Sequence, residues 1–317
     1  MPTPSVQQFQ PSMAEPVARL IHQAFAEHAD LPPREFFFIP AHRLGVERMT
    51  EVLSGEQVVA DCSFVAIEAG QPISAVIARR HDSAIGWWRI ATHPTRRRQG
   101  LASACLAAAE EALRATGASQ AFTADTVDSR WEPAAGLLRR AGYQLDGPDR
   151  RNISMRLEME GWRERPVSLP DGYEMTTFTQ DRLEAWTQCR NRAFESDVAP
   201  TWFLDTFAGR PDFDPAGWHM IRRGDEVVAI SGALACNDPA DPGRVAGGMI
   251  EYVGVVPECR GLGLGESVVV ACLNYLKGRQ VSPAVLLTQP FRVPAVRLYE
   301  KLGFVTIAAW HRYVKGL

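Results

Sequence analysis

Apolar and polar positions run through this chain twice in the same order. Each round opens with a short strand and an amphipathic helix, over residues 6–9 and 14–28 and again over 173–178 and 182–195. A hairpin follows. Residues 64–68 turn at Gly70-Gln71-Pro72, and residues 218–223 turn at Gly224-Asp225, because Gly and Asp tolerate the positive φ of tight turns. A third strand-like run, 85–92 or 249–256, leads into a glycine-rich turn, and a helix spans about 101–116 or 264–277. A strand (120–126; 284–288), a short helix that stops at Gly142 or Gly303, and final strands (152–159; 304–314) close each round. Gly is the expected stop because it enters the left-handed region without strain. Residues 161–172, with Pro166, Pro170 and Asp171-Gly172, read as a linker, so the predicted domains are 1–160 and 173–317.

The two rounds share residues as well as pattern. Pro94 and Pro257, Arg97 and Arg260, Gly100 and Gly263, and Ala102 and Gly265 match at a constant spacing of 163. The closing segments, Leu137-Leu138-Arg139-Arg140-Ala141-Gly142-Tyr143 and Leu298-Tyr299-Glu300-Lys301-Leu302-Gly303-Phe304, correspond too. Two copies of one α/β (α+β) domain follow from this repeat.

Composition narrows the classes. At 317 residues the chain has room for two ordinary cores. Its longest apolar run, Val268 to Leu273, is six residues, far short of a membrane span, and its first residues lack a basic segment followed by an apolar one. Cys62, Cys105, Cys189, Cys236, Cys259 and Cys272 lie far apart, with no His at metal-ligand spacing. Reduced thiols, a cytoplasmic location and no metal are the expectation. A net charge of −3 gives no global attraction to nucleic acid, so an acidic ligand needs a local device.

The glycine-rich turn is such a device. A strand ending in Val-x-Pro, then R-x-x-G-x-[GA] opening a helix, gathers main-chain N–H groups around one point at a helix N-terminus, which favours a diphosphate. Gly263 and Gly265 allow close approach, and Arg260 is placed to add charge-assisted hydrogen bonds at the rim.

At these residues the sequence resembles the GNAT superfamily of acyl-CoA-dependent N-acyltransferases. The match to its [RQ]-x-x-G-x-[GA] pyrophosphate loop is carried by Arg97, Gly100 and Ala102 and by Arg260, Gly263 and Gly265. The match to its Ala-x-x-Leu-Tyr-x-x-x-Gly-Phe helix is carried by Ala295, Leu298, Tyr299, Gly303 and Phe304. The resemblance covers nearly the whole chain as two tandem domains. It implies a mixed, splayed central sheet flanked by helices in each, with acetyl-CoA in the splay. It further implies cofactor contacts from the main chain of Val253, Gly254 and Val255, from Gly261 and Leu264 in the loop, and from Ile90 and Thr92 in the first copy. Many members have an Asn three residues before the Ala of the helix signature. Arg292 and Trp131 stand there in this chain, a departure from the pattern.

Amide formation from a thioester needs a neutral amine, and deprotonating an amine of pKa about 10.4 at neutral pH costs on the order of 4–5 kcal/mol. A base near the acceptor and an acid near the leaving thiolate are therefore sought. The second copy has Glu251 on the strand and Tyr299 on the closing helix, where the first has Trp88 and Leu138. Catalysis is expected in the second copy, with the first keeping its CoA loop but not the chemistry. Packing on the stripe of Ala295, Leu298, Tyr299 and Leu302 is the other reading of Tyr299, and a solvated strand position that of Glu251. Trp87, Trp88 and the Phe36-Phe37-Phe38 run read as core or as cover for the other domain.

The expected activity is acetyl transfer from acetyl-CoA to a small-molecule or peptide amine, without nucleic acid or membrane. A CoA-holding scaffold and a tRNA-dependent aminoacyltransferase of related fold are the alternatives. Trp202, Phe203 and Phe207, with the acids Asp197, Asp205, Asp212 and Asp214, mark the region expected to cover the acceptor.

Overall fold

A computed structural model describes residues 3–26, 45–81, 84–147, 152–210, 212–238 and 241–317. The Phe36-Phe37-Phe38 run lies outside the described residues. The first copy begins with β1 (Ser5–Gln8), α1 (Ala14–Phe25) and α2 (Val46–Leu53). The meander β2 (Phe64–Glu68), β3 (Gln71–His81) and β4 (Ala84–Thr92) then leads to α3 (Leu101–Ala115), β5 (Gln120–Phe122), β6 (Val127–Asp128), α4 (Glu132–Arg140), β7 (Gln144–Leu145) and β8 (Asn152–Leu157). The second copy holds β9 (Tyr173–Thr177), α5 (Leu183–Phe194), α6 (Thr201–Phe203), β10 (Trp218–Arg223), β11 (Glu226–Asp238) and β12 (Asp241–Val255). It ends with α7 (Leu264–Gly278), β13 (Ala284–Thr288), α8 (Val293–Lys301), β14 (Val305–His311) and β15 (Tyr313–Gly316). The helix α2 and the turns from Thr201 to Ala208 were not among the expected elements, and the run 120–126 contains only the three-residue β5.

Among the described residues the strands form three sheets, in the orders β1-β2-β3-β4, β6-β14-β8-β13-β12-β11-β10-β9 and β5-β15-β7. The copies exchange their last strands. β8, which ends the first copy, lies between β13 and β14 of the second and pairs antiparallel with both. β15, which ends the chain, lies between β5 and β7 of the first. The linker is also tied down. Trp162 is buried and donates to Asn274 Oδ1 at 3.3 Å, Asn274 Nδ2 donates to the Arg165 carbonyl at 2.8 Å, and Ser267 Oγ donates to the Ser168 carbonyl at 2.6 Å.

Helices pack on both faces of the four-stranded and the eight-stranded sheet, as apolar stripes require. In the first copy Val17, Leu20 and Ile21 of α1 cover Ala75 and Ile77 on one face, and Cys105, Leu106 and Leu113 of α3 cover Val76 and Ala78 on the other. In the second copy α5 contributes Trp186 to an aromatic cluster with Phe203, Phe207 and Trp218. Trp87 and Trp88 are both buried in the first copy.

Candidate active site

Each sheet forks at the same place. β12 and β13 run parallel and pair only from Gly248↔Ala284 to Ile250↔Leu286, although β12 continues to Val255 and β13 to Thr288. In the first copy β4 meets the segment after β5 at one parallel bridge, Trp87↔Thr123. These bridges are the same position in the repeat, since Ile250 follows Trp87, and Leu286 follows Thr123, by the same 163 residues. Beyond the fork the edge of residues 253–255 facing β13 has no neighbouring strand among the described residues, while the other edge pairs with β11 at Gly254↔Ile230 and Val255↔Ala229. An extended arm laid into the gap would meet main-chain groups as an added strand does. A bulge accompanies the fork: Tyr252 has φ +50°, and the β11–β12 register shifts between Ile230 and Gly232.

The two glycine-rich loops share one conformation. Gly100 and Gly263 cap α3 and α7 with φ/ψ of 79°/−3° and 80°/−1°. The first in-helix bonds are Ala104 N–H to the Gly100 carbonyl at 2.9 Å and Ser267 N–H to the Gly263 carbonyl at 3.1 Å. The amides of Leu264, Gly265 and Glu266, like those of Leu101, Ala102 and Ser103, therefore precede the helical ladder and need an outside partner. A Cβ built on Gly261 or Gly263 would have no atom within 4 Å, so open space lies beside the loop, and the residues present fit a diphosphate there. At Gly265 a Cβ would sit 3.6 Å from Val255, an ordinary contact, which explains why Ala102 serves in the other copy.

Arg260 departs from its expected place at the rim. Its Nε donates to the Val255 carbonyl at 3.2 Å and its Nη2 to the Ala193 carbonyl at 3.1 Å. Arg97 likewise donates to the Ala24 carbonyl at 2.9 Å. The guanidinium in each copy ties the loop to the C-terminal end of the first long helix, whose last carbonyls lack helical partners and attract a cation. Gly254 serves the same packing, because a Cβ there would lie 2.9 Å from the Phe194 ring and 3.0 Å from Ala193 Cβ. The sequence reading missed this helix end. The repeated pair Ala24-Phe25 and Ala193-Phe194 was its visible signal.

Glu251 is the first residue of β12 past the fork and is half-buried, and Ser231 Oγ donates to its carbonyl at 3.2 Å. Tyr299 is 5% exposed and its ring meets Phe304 edge-on, with centroids 6.0 Å apart. Burial is the main cause that pushes the Tyr299 phenol well above its ordinary value; Arg292 opposes it, and Cys272 and the nearby Glu251 carboxylate add to it. In the first copy Trp88 and Leu138 are buried at the corresponding positions. Arg292 lies 5.6 Å from the Phe194 ring centre, as Trp131 lies edge-on against Phe25 at 4.8 Å.

The acids of the acceptor region have structural partners or lie in solvent. Asp212 accepts from Arg210 at 2.8 and 2.6 Å, and Asp214 accepts from Tyr275 and Arg279 and caps Ala216 N–H, whereas Asp197 and Asp205 are exposed. Phe203 and Phe207 are core, and Trp202 is half-buried under the Arg190 guanidinium at 4.5 Å. Among the described residues no cluster of three metal-ligating side chains occurs, and no helix is long and apolar enough to cross a membrane.

The acetyltransferase (GNAT) family model matches residues 23–143 and again 176–304. A mycothiol acetyltransferase of Thermomonospora curvata is 31% identical over 232 residues, covering 72% of this chain and 73% of that one. Another from an Arthrobacter species is 31% identical over 237 residues, covering 73% and 70%. Among solved structures, a GCN5-related N-acetyltransferase from Sphaerobacter thermophilus aligns with a TM-score of 0.65 at 19% identity, over 99% of this chain and 95% of that one. A tandem GNAT protein from the clavulanic acid biosynthesis pathway aligns with a TM-score of 0.66 at 16% identity, over 99% and 98%. The chain belongs to the acetyltransferase (GNAT) family and is an N-acetyltransferase of the tandem, two-domain kind.

Proposed function

We propose that the second copy, residues 173–317, transfers acetyl from acetyl-CoA to a primary amine of a small molecule or peptide, and that the first copy does not turn over. The observation that carries this reading is the pair Glu251 and Tyr299 at the C-terminal fork, where the first copy has Trp88 and Leu138. Val253, Gly254 and Val255 flank the pantetheine arm, and Gly261, Gly263, Leu264 and Gly265 receive the diphosphate. Arg260 holds that loop in position. Ile90, Thr92, Arg97, Gly100 and Ala102 form the corresponding CoA site of the first copy.

The amine nitrogen attacks the thioester carbon. Its proton passes to Glu251, directly or through a water, as the C–N bond forms and the nitrogen becomes acidic. The C–S bond then breaks and its electron pair leaves on sulfur. Because burial pushes the phenol up, Tyr299 stays neutral at working pH and donates an O–H hydrogen bond to that sulfur. Complete proton transfer from so weak an acid to a thiolate, whose own acid has a pKa near ~8.5, is uphill, so solvent delivers the final proton.

The names of the relatives make the unacetylated precursor of mycothiol the first acceptor to test. The six described cysteines are free and buried, in keeping with action in a reducing cytoplasm. The test is release of CoA thiol from acetyl-CoA with that precursor and a panel of other amines. An acceptor-dependent thiol signal lost in Glu251→Gln is the expected result. Thiol release without an acetylated product, or none with any amine, overturns the reading.

A further inference from the structure

The first copy holds a half-open cavity of ≈ 1270 Å³ that runs from the Gly100 loop through the fork to Trp310 of the second copy. That is larger than the roughly 300–1,000 Å³ of a usual small-molecule cleft. One end is the CoA site already assigned, and the chamber past the fork has a different chemistry from its counterpart. Where the second copy has Glu251, Arg292 and Tyr299, the first has Trp88, Trp131 and Leu138. Trp131 packs edge-on against Phe25 with centroids 4.8 Å apart, and the indole N–H of Trp310 is occupied by Ser154 Oγ at 2.8 Å.

The acids on this wall are paired, Asp128 with Arg130 and Glu132 with Arg139, and Arg89 is neutralised as well. Arg89 donates through Nη1 to Asp125 at 2.6 Å and to the Trp88 carbonyl at 2.8 Å, and its guanidinium lies 4.2 Å from the Trp88 ring centre. A guanidinium paired and stacked in this way presents a flat wall rather than a site for a second carboxylate. Thr126 Oγ1 is buried at the cavity with no hydrogen-bond partner among the described residues, a polar handle for an oxygen of a bound molecule.

We propose that the first copy is a binding site for acyl-CoA thioesters whose acyl group is apolar and longer than acetyl, held in this chamber without transfer. The proposal rests on reading the Gly100 loop as a CoA site. An acetyl group brings a single methyl to this chamber, whereas each further methylene moved from water to an apolar wall strengthens binding by roughly fourfold. Trp88 stands in place of Glu251, and the carboxylates that line the cavity are taken up by arginines, Asp125 by Arg89, Asp128 by Arg130 and Glu132 by Arg139, so an amine beside the thioester meets no free base among the described residues and the bound acyl group persists.

The test is equilibrium binding of CoA, acetyl-CoA, butyryl-CoA and hexanoyl-CoA to the full chain carrying Gly263→Asp, which silences the other loop. Affinity is expected to rise at least about tenfold from acetyl- to hexanoyl-CoA. The rise is expected to vanish in Thr126→Trp, which fills the chamber, while CoA itself still binds; Leu137→Trp on the same wall is the second filling variant. Adding Gly100→Asp is expected to remove binding of all four. Equal affinities across the series, or an acyl preference that survives Gly100→Asp, overturn the proposal. Acetyl transfer by the chain with an intact Gly263 reads the second copy separately, so a failure there is not mistaken for a failure here.

Discussion

Arg260 reaches back from the glycine-rich loop to the carbonyl of Ala193, the penultimate residue of α5, with Nη2 3.1 Å from that oxygen. Its Nε holds the Val255 carbonyl at the same time. A lysine offers one ammonium and cannot span both oxygens with fixed geometry. Arg260→Lys is therefore expected to raise the Kd for acetyl-CoA about tenfold, from loss of a hydrogen bond and of loop position worth about 1–1.5 kcal/mol. Titration of the uncharged variant Arg260→Met at low and high salt checks the cause. A positioning role gives the same ratio of mutant to parent at both salts, whereas direct phosphate contact makes the ratio shrink as salt screens it.

Gly263 sits at φ +80° where α7 begins, a conformation that costs most side chains 1–2 kcal/mol or so. Gly263→Asp adds that strain and a negative charge at the proposed diphosphate site. Acetyl-CoA affinity of the second copy is expected to fall more than about a hundredfold. Gly263→Asn is the matched control, since Asn tolerates the left-handed region and carries no charge, and it is expected to lose far less. Equal losses in calorimetry would assign the effect to backbone strain alone.

The strand exchange makes a prediction about the halves. A fragment of residues 166–317 keeps β13 and β14 but loses β8, which pairs with both. The fragment would expose two unpaired strand edges and lose Ile153 and Met155 from its core. It is expected to lack a cooperative thermal transition, while residues 150–317 regain one. Circular dichroism melts of the two fragments decide it, and a cooperative melt of 166–317 would mean that β15 can fold back in place of β8.

This exchange was not legible in the sequence, and the reason is physical. The runs at 152–159 and 304–314 announce strands by their alternation, but nothing in a period of two says which sheet a strand enters when two copies offer the same slot. The fork was legible only through family resemblance, because Ile250 and Glu251 look like consecutive residues of one strand. The loops were legible directly. Gly100 and Gly263 stand where the backbone needs positive φ, and the spacing of 163 carried the duplication. The charge of Arg260 points to a phosphate, but one of its two carbonyl partners, Ala193, comes from a helix 67 positions away, which no local pattern reports.

Burial holds the His219 imidazole down at about 4 against an ordinary 6.5, and its Nε2 has no hydrogen-bond partner among the described residues. The unfolded chain therefore binds a proton that the folded one refuses between those values. Stability rises with pH across that window and is lost as pH falls through it, by up to about 3 kcal/mol. His219→Gln, uncharged throughout, is expected to flatten the pH dependence of the denaturation midpoint between pH 6.5 and 4. An unchanged slope would place the acid sensitivity in other groups.

Glu251 and Tyr299 are proposed to divide the proton work, and shape-preserving variants separate proton function from packing. Glu251→Gln keeps size and hydrogen-bonding reach but cannot accept the amine proton, and a loss of about 10²–10⁴ in kcat is expected. The acidic limb of its rate profile should flatten, because the carboxylate whose protonation produces that limb is gone. Tyr299→Phe removes one oxygen from a side chain that is 95% buried against Phe304 and Leu302, so the ring packing survives. If the phenol holds the departing sulfur, kcat falls while acetyl-CoA affinity stays within about twofold, since ground-state binding does not use that contact. A second readout follows from the raised phenol value. The folded state keeps the proton when the unfolded chain loses it above pH ~10, so Tyr299 costs stability as pH rises past that point and Tyr299→Phe removes the cost. A variant that is more stable at pH 11 yet turns over at the parent rate would identify Tyr299 as a packed ring and send the search for the group at the sulfur to Arg292 on the same wall.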